Sequence, residues 1–182
     1  SIHETRDGGY IVAGETWSFG AGKNDIWLLK LRQDGTIEWQ QGYGGASGDE
    51  DESIHQTGDG GYIVVGKTQS FGTEGRGGEI WDFWVLKLRP NGIIEWQKTY
   101  GGKGWDWARC IQETRNGGYI VAGSTASFGG GDFDLWVLKL RADGAVEWQK
   151  TYGGVKEDHA RSIRETDAGG YIVAGETWSF GA

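Results

Sequence analysis

The chain of 182 residues contains no methionine, one proline, one cysteine and three histidines. A lone Cys110 excludes an internal disulfide, and so few cysteines leave the redox compartment open. Cys110 stands where the other repeat units have serine, and it reads as a small buried residue. The lack of Met, even at position 1, gives the expectation of a mature or excised segment rather than a primary translation product. Positive charge is also scarce, with 18 Lys and Arg against 26 Asp and Glu and a formal net charge of −8. Nucleic acid requires a basic footprint that is missing here, and anionic membrane surfaces are disfavoured for the same reason. No apolar run approaches the length of a membrane span, so membrane insertion is not expected, and no signal peptide is visible. No segment sustains a 3.6-residue period, so almost no helix is expected.

What is abundant is glycine and tryptophan, 35 and 11 residues. The glycines follow no strict triplet, which excludes collagen, and they are spaced regularly between apolar runs, which excludes a flexible linker. The spacing reflects a repeat. "GGYIVAGETWSFGA" fills positions 8–21 and returns, letter for letter, at 169–182. Aligned on "GGYIV", the units cover 1–52, 53–109 and 110–161, with the first half of a fourth at 162–182.

Each unit divides into four short apolar runs rich in Val, Ile, Trp and Tyr, as strands prefer. The first is "SIHET", "SIHQT", "CIQET" or "SIRET". A Gly-Gly turn leads to "YIVAGET" and its relatives. A glycine-rich loop precedes the third, "DIWLLKLR", "DFWVLKLR" or "DLWVLKLR". Asp34-Gly35, Asn91-Gly92 and Asp143-Gly144 then turn the chain into "IEWQ" or "VEWQ", a strong hairpin signal. The second and third runs are apolar at nearly every position, whereas a sheet with one wet face would alternate. Both faces of each four-stranded sheet must be covered, and a radial stack of sheets does this. The expected fold is therefore all-β, an arc of about three and a half blades of a β-propeller. A flat or helical solenoid is the alternative.

The motifs "DGGYIV-G-T-SFG" and "D-W-LKL--DG-I-WQKTYGG", with the acidic loop that follows, resemble the tandem β-propeller repeats of large secreted and cell-surface proteins of bacteria and archaea. The resemblance covers the whole chain. It implies export and a surface or extracellular location more than any activity.

Several motifs suggest chemistry. Gly61–Thr68, "GYIVVGKT", satisfies the phosphate-loop pattern, but its four middle residues read as strand and the sister units lack the Lys. Asp25, Asp82 and Asp134 recur at the start of the third strand, and Asp49, Asp106 and Asp158 recur six residues after a Tyr of "YGG". Calcium is one reading of these carboxylates, and loop pinning through backbone N–H groups is the preferred one. His3, His55 and His159 are too scattered for zinc, so no metal site and no cofactor are expected. Glu38, Glu95 and Glu147 each precede a Trp in the fourth strand, a periodic placement that speaks for blade structure. No catalytic constellation stands out, so an enzyme is not expected.

Differences between units are more informative. The second unit inserts residues after its second strand, adding Glu74, Arg76, Glu79 and Trp81, and its next loop carries Trp105 and Trp107. Trp17 and Trp178 begin the corresponding rim loop elsewhere. Exposed Trp beside charged groups can stack on sugars or anchor a protein; packing between blades is the competing role. The functional expectation is a non-catalytic extracellular or cell-surface scaffold whose rim, with Trp81, Arg76, Trp105, Trp107 and Trp17, binds a protein or glycan partner. A lectin-like propeller or an accessory propeller of a larger secreted enzyme are the alternatives. Short turns, few Asn and no Met are compatible with heat resistance. Both ends offer first and second strands only, so the arc is expected to belong to a longer repeat chain or to associate with itself or another molecule.

Overall fold

A computed structural model describes residues 1–72 and 79–180. Among them there are fourteen strands and no helix. Blade one comprises β1 (Ile2–Glu4), β2 (Tyr10–Thr16), β3 (Asp25–Leu31) and β4 (Ile37–Tyr43). Blade two comprises β5 (Asp49–Gln56), β6 (Tyr62–Thr68), β7 (Asp82–Leu88) and β8 (Ile94–Tyr100). Blade three comprises β9 (Asp106–Glu113), β10 (Tyr119–Thr125), β11 (Asp134–Leu140) and β12 (Val146–Tyr152). A two-stranded half-blade follows, β13 (Asp158–Glu165) and β14 (Tyr171–Thr177). All neighbours pair antiparallel in sequence order, and the sheets form an unclosed, β-propeller-like arc.

The first strands start earlier than the repeat alignment indicates. β5, β9 and β13 begin at Asp49, Asp106 and Asp158. Boundaries at Ser53, Cys110 and Ser162 therefore cut through a strand, and the acidic stretch read as a loop is half strand. The reason is a bulge. The register shifts between Asp51 and Ser53 and between Ala160 and Ser162, and opposite Ala122/Gly123 in β10, leaving Glu52, Arg109 and Arg161 as extra residues. A bulge breaks the two-residue alternation by which a strand is recognised.

The Asp-Gly and Asn-Gly hairpins between third and fourth strands close as three-residue loops. Gly35 N donates to Arg32 O at 2.9 Å and Arg32 N donates to Thr36 O at 2.9 Å, closing a three-residue loop. Only Gly35 takes a positive φ, 80°, and Asp34 does not. This is a type I turn followed by a left-handed glycine. Asp34 instead accepts from Thr36 N at 3.0 Å.

The core lies between blades. Ile11, Ile26 and Leu28 of blade one pack with Tyr62, Val64, Trp84 and Leu86 of blade two. Val65, Phe83 and Val85 of blade two pack in turn with Val121, Trp136 and Leu138 of blade three. Strands β7 and β10 are buried at every position, which accounts for their continuous apolar sequences. Each fourth strand also grips the next blade's hairpin. Tyr43 Oη donates to Gly92 O at 2.6 Å and Trp39 Nε1 to Pro90 O at 3.0 Å. Tyr100 Oη repeats this on Gly144 O at 2.6 Å, and Trp96 Nε1 on Ala142 O at 3.1 Å.

Each third strand carries one buried lysine that sequence reading passed over. Lys30, Lys87 and Lys139 are almost fully enclosed. A second bulge in each blade sets Glu38, Glu95 and Glu147 out of register. Their carboxylates stand 3.5, 3.7 and 3.7 Å from those lysine ammoniums. Asp7 and Asp59 add contacts at 2.8 Å to Lys30 and Lys87. A buried charge needs such partners, which explains why a charged pair recurs inside an apolar blade.

Candidate functional site

The loops after second and fourth strands meet on one rim. Asp49 N donates to Asn24 O at 2.8 Å, Asp106 N to Trp81 O at 2.6 Å and Asp158 N to Phe133 O at 2.7 Å. The recurring aspartates fix this rim. Asp49 accepts from Thr68 Oγ1, from Ser70 Oγ at 2.7 Å and from Gly45 N at 2.8 Å. Asp106 accepts from Ser127 Oγ at 2.7 Å, and Asp158 accepts from Ser179 Oγ at 2.6 Å and Gly154 N at 2.9 Å. Asp25 accepts from Ala21 N at 2.8 Å, and Asp134 from Gly130 N at 2.9 Å. Asp82 lies against Gly72 and Gly101 in the equivalent place.

Burial raises the Asp49 and Asp106 carboxyls above their ordinary range. At Asp158 burial is outweighed by the hydroxyls of Ser179 and Thr177, and the net shift is downward. The carboxylates converge in pairs on glycine. A methyl group on Gly44 would lie 1.7 Å from Asp25 Oδ1 and 2.9 Å from Asp49 Oδ2. Gly44 therefore packs closely against both carboxylates, and no larger residue fits there.

The rim tryptophans divide into two groups. Trp81 and Trp107 are half-buried between blades. Lys67 Nζ lies 4.9 Å from the Trp81 ring centroid and 5.9 Å from that of Trp107. Trp107 stacks on Phe133 at 4.6 Å and 27°. Phe133 meets His159 at 5.5 Å, and His159 Nδ1 is 2.8 Å from Ser124 Oγ. This run of rings joins blade two to blade three and blade three to the half-blade. Lys67, from the phosphate-loop-like stretch, sits in β6 and pairs with Glu50 at 2.7 Å. A strand there offers no cradle of free N–H groups for phosphate.

By contrast, Trp17 is 74% exposed, Trp105 45% and Trp178 52%. Trp105 lies 5.8 Å from Trp107 at 32°, so a half-buried ring supports an exposed one. Glu79 is exposed, and its carbonyl accepts from Gln69 Nε2 at 3.2 Å. Arg76 and Glu74 lie outside the described residues.

The first strands of successive blades pack on one another, β5 on β9 and β9 on β13, so they form the inner side of the arc. Bulge residues project there. Arg109 Nη1 donates to Glu52 Oε1 at 2.7 Å, and Arg161 Nε to Glu176 Oε1 at 2.8 Å. His3 and His55 stand with ring centroids 4.6 Å apart. Burial, then the proximity of His3 and Arg164, pushes His55 down to about 4. Sequence reading missed Glu52, Arg109 and Arg161 as a set. The available signal was a charged residue recurring immediately before the Ser or Cys of each unit, Glu in one and Arg in two. Cys110 is half-buried, its thiol pushed up to about 11 by burial.

Among the described residues no three His, Cys, Asp or Glu side chains gather as metal ligands. No family model matches the chain, and no curated protein does. The chain is similar to the crystal structure of a protein of unknown function from Bacteroides caccae, with a TM-score of 0.57 and 15% identity. That likeness covers 95% of this chain and 51% of the other, so the chain spans about half that protein's length. At this identity the likeness bears on architecture alone, and it supports an all-β, propeller-like arrangement of four-stranded antiparallel sheets.

Proposed function

We propose that the chain is a non-catalytic repeat scaffold of an exported or cell-surface protein, and that it binds a partner through its loop rim. The observation that carries this reading is the pair Trp105 and Trp17. Both are large apolar rings held out on rim loops, while the repeated residues beneath them are occupied with joining blades. A frame whose repeated positions join blades leaves recognition to side chains exposed on its rim loops. The resemblance to exported bacterial and archaeal repeat proteins supports the location.

A carbohydrate partner is the second reading, favoured by indole faces open to stacking at Trp17, Trp105 and Trp178. Glycan-array screening, together with capture of extracellular proteins and cross-linking at the rim, tests both. Binding lost in Trp105→Ala and Trp17→Ala supports a rim site. Binding that survives both substitutions, or turnover of a substrate by this chain, refutes the proposal.

A further inference from the structure

Below the rim, blades two and three each carry a pair of stacked rings on the flank formed by the third and fourth strands. The loop after the second strand turns a Phe back onto the third-strand Trp. Thr68 Oγ1 accepts from Ser70 N at 2.9 Å and from Phe71 N at 3.3 Å, and this turn lays Phe71 on Trp84 with ring centroids 5.1 Å apart. Thr125 Oγ1 accepts from Ser127 N at 3.0 Å and from Phe128 N at 3.2 Å, and Phe128 lies 5.0 Å from Trp136. The two indoles are buried, but Phe71 and Phe128 remain 37% and 38% exposed.

A cleft opens beside each pair of rings. In blade two it measures about 410 Å³ and is lined by Phe71, Trp84, Gln97, Lys98 and Thr99. In blade three it measures about 150 Å³ and is lined by Phe128, Trp136, Gln149, Lys150 and Thr151, the same repeat positions. The strand register decides which side chains face it. Thr99 stands opposite Trp84 and Gln97 opposite Leu86, so both share the face of the indole. Lys98 stands opposite Val85 and belongs to the other face, its Cδ lying 3.1 Å from where a methyl group on Gly144 would be. The cleft therefore presents an aromatic ring, an amide and a hydroxyl, and no charge. Trp84 Nε1 donates to Gln97 Oε1 at 3.2 Å, which fixes the amide and turns its Nε2 donors away from the indole. Thr99 Oγ1 makes one long contact, 3.4 Å to Phe71 O, and its lone pairs stay available to a ligand.

We propose that these clefts are carbohydrate subsites, each taking one uncharged hexopyranose ring. The C–H face of the sugar rests on Phe71, Gln97 Nε2 donates to one hydroxyl, and Thr99 Oγ1 bonds the next. An uncharged lining selects an uncharged ligand, and an aromatic face beside an amide and a hydroxyl matches the two-sided chemistry of a pyranose. The blade-two cleft falls within the roughly 300–1,000 Å³ of small-molecule sites and the blade-three cleft below it, so blade two holds the stronger subsite. Blade one is a natural variant. Phe19 and Trp27 recur at 5.9 Å and Gln40 keeps the amide position, but Gly42 replaces the threonine and its hydroxyl. None of these residues is an exposed rim tryptophan, so this site and the rim site stand or fall separately.

The test uses the full chain, isotope-labelled for NMR. It is titrated with methyl β-glucoside, methyl β-galactoside and methyl α-mannoside, then with the corresponding trisaccharides. We expect at least one glycoside to shift the Gln97 side-chain amide saturably, with a dissociation constant on the order of 1 mM for a single ring. The shift should be weaker at Gln149 and absent at Gln40. Thr99→Val and Gln97→Glu should each weaken binding by roughly tenfold, the effect of losing one well-placed hydrogen bond. Gln97→Glu keeps an acceptor for Trp84 Nε1, so its unfolding midpoint should match that of the parent chain. Trp17→Ala and Trp105→Ala should leave the Gln97 shift intact. Tighter binding of a trisaccharide supports the site with a glycan chain as the source of the ring, and equal binding supports it with a free sugar.

A folded chain whose Gln97 amide responds to none of these probes overturns the proposal. So does binding that ignores both Thr99→Val and Gln97→Glu, or an equal response at Gln40. Sugar binding lost only in the two rim substitutions overturns it and leaves the rim reading standing alone.

Discussion

Tyr43, Tyr100 and Tyr152 occupy one repeat position in three different surroundings, which makes a controlled experiment. Tyr43 is 4% exposed and its hydroxyl donates to Gly92 O at 2.6 Å. Tyr43→Phe keeps the ring and its packing and removes only that donor. The net loss of a hydrogen bond is about 1 kcal/mol, and a buried carbonyl left unsatisfied adds about 1 kcal/mol or more. We therefore expect a cost of roughly 2 kcal/mol, equivalent to a fall of about 4–8 °C in the unfolding midpoint for a chain of this size. Tyr100→Phe, with the same bond to Gly144 O, should behave alike. Tyr152 is 53% exposed and has no such bond among the described residues, so Tyr152→Phe should stay within about 0.5 kcal/mol. Urea and thermal unfolding followed by tryptophan fluorescence measure all three. Equal costs at Tyr43 and Tyr152, or no cost at Tyr43, would refute the view that these hydroxyls join one blade to the next.

Gly44→Ala should be among the most damaging single changes, because its methyl would meet Asp25 Oδ1 at 1.7 Å, whereas Gly14→Ala meets nothing within 4 Å and should be neutral or slightly stabilising by denaturant titration. His55 titrates near 4 in the folded chain, below its ordinary 6.5, so folding favours the neutral ring. That contribution is complete above pH 6.5 and is lost as pH falls toward 4, by at most ~3 kcal/mol, and His55→Gln should flatten the stability profile across that window. Asp49 and Asp106, raised by burial, act in the opposite sense just above the ordinary Asp value and should survive that substitution unchanged. Trp107→Ala should lower stability by about 3 kcal/mol or more through its lost stacking on Phe133, while Trp105→Ala should leave unfolding nearly unchanged and act only on partner binding.

The fold was legible because each unit reports its own burial. An apolar run without alternation, as in "YIVVG" or "FWVLKL", has meaning only when both faces of the strand are covered, and repetition at about 50 residues says what covers them. The candidate site was less legible. Trp81, Trp105 and Trp107 look alike in sequence, and the division between packing and display depends on how close the neighbouring blade comes. Trp107 faces Phe133, which lies 26 positions further along the chain, and no local pattern foretells that stack. The bulges hid Glu52, Arg109 and Arg161 in the same way, since one extra residue reverses the face on which a side chain is expected.

By itself the sequence determined the strands apart from the bulged starts of the first ones, the antiparallel order within each blade and the glycine turns, because these depend on residues a few positions apart. It also determined that the sheets must stack, because their apolar content exceeds what one buried face can absorb. Only the tertiary structure decided which aspartates, tyrosines and tryptophans act in pairs across blades, and which stand open. Those contacts join residues about one repeat apart, and their geometry depends on the tilt between sheets, which packing sets and local sequence does not. The same hydroxyl is a fastening at Tyr43 and Tyr100 and an open donor at Tyr152, the difference lying in what the neighbouring hairpin supplies.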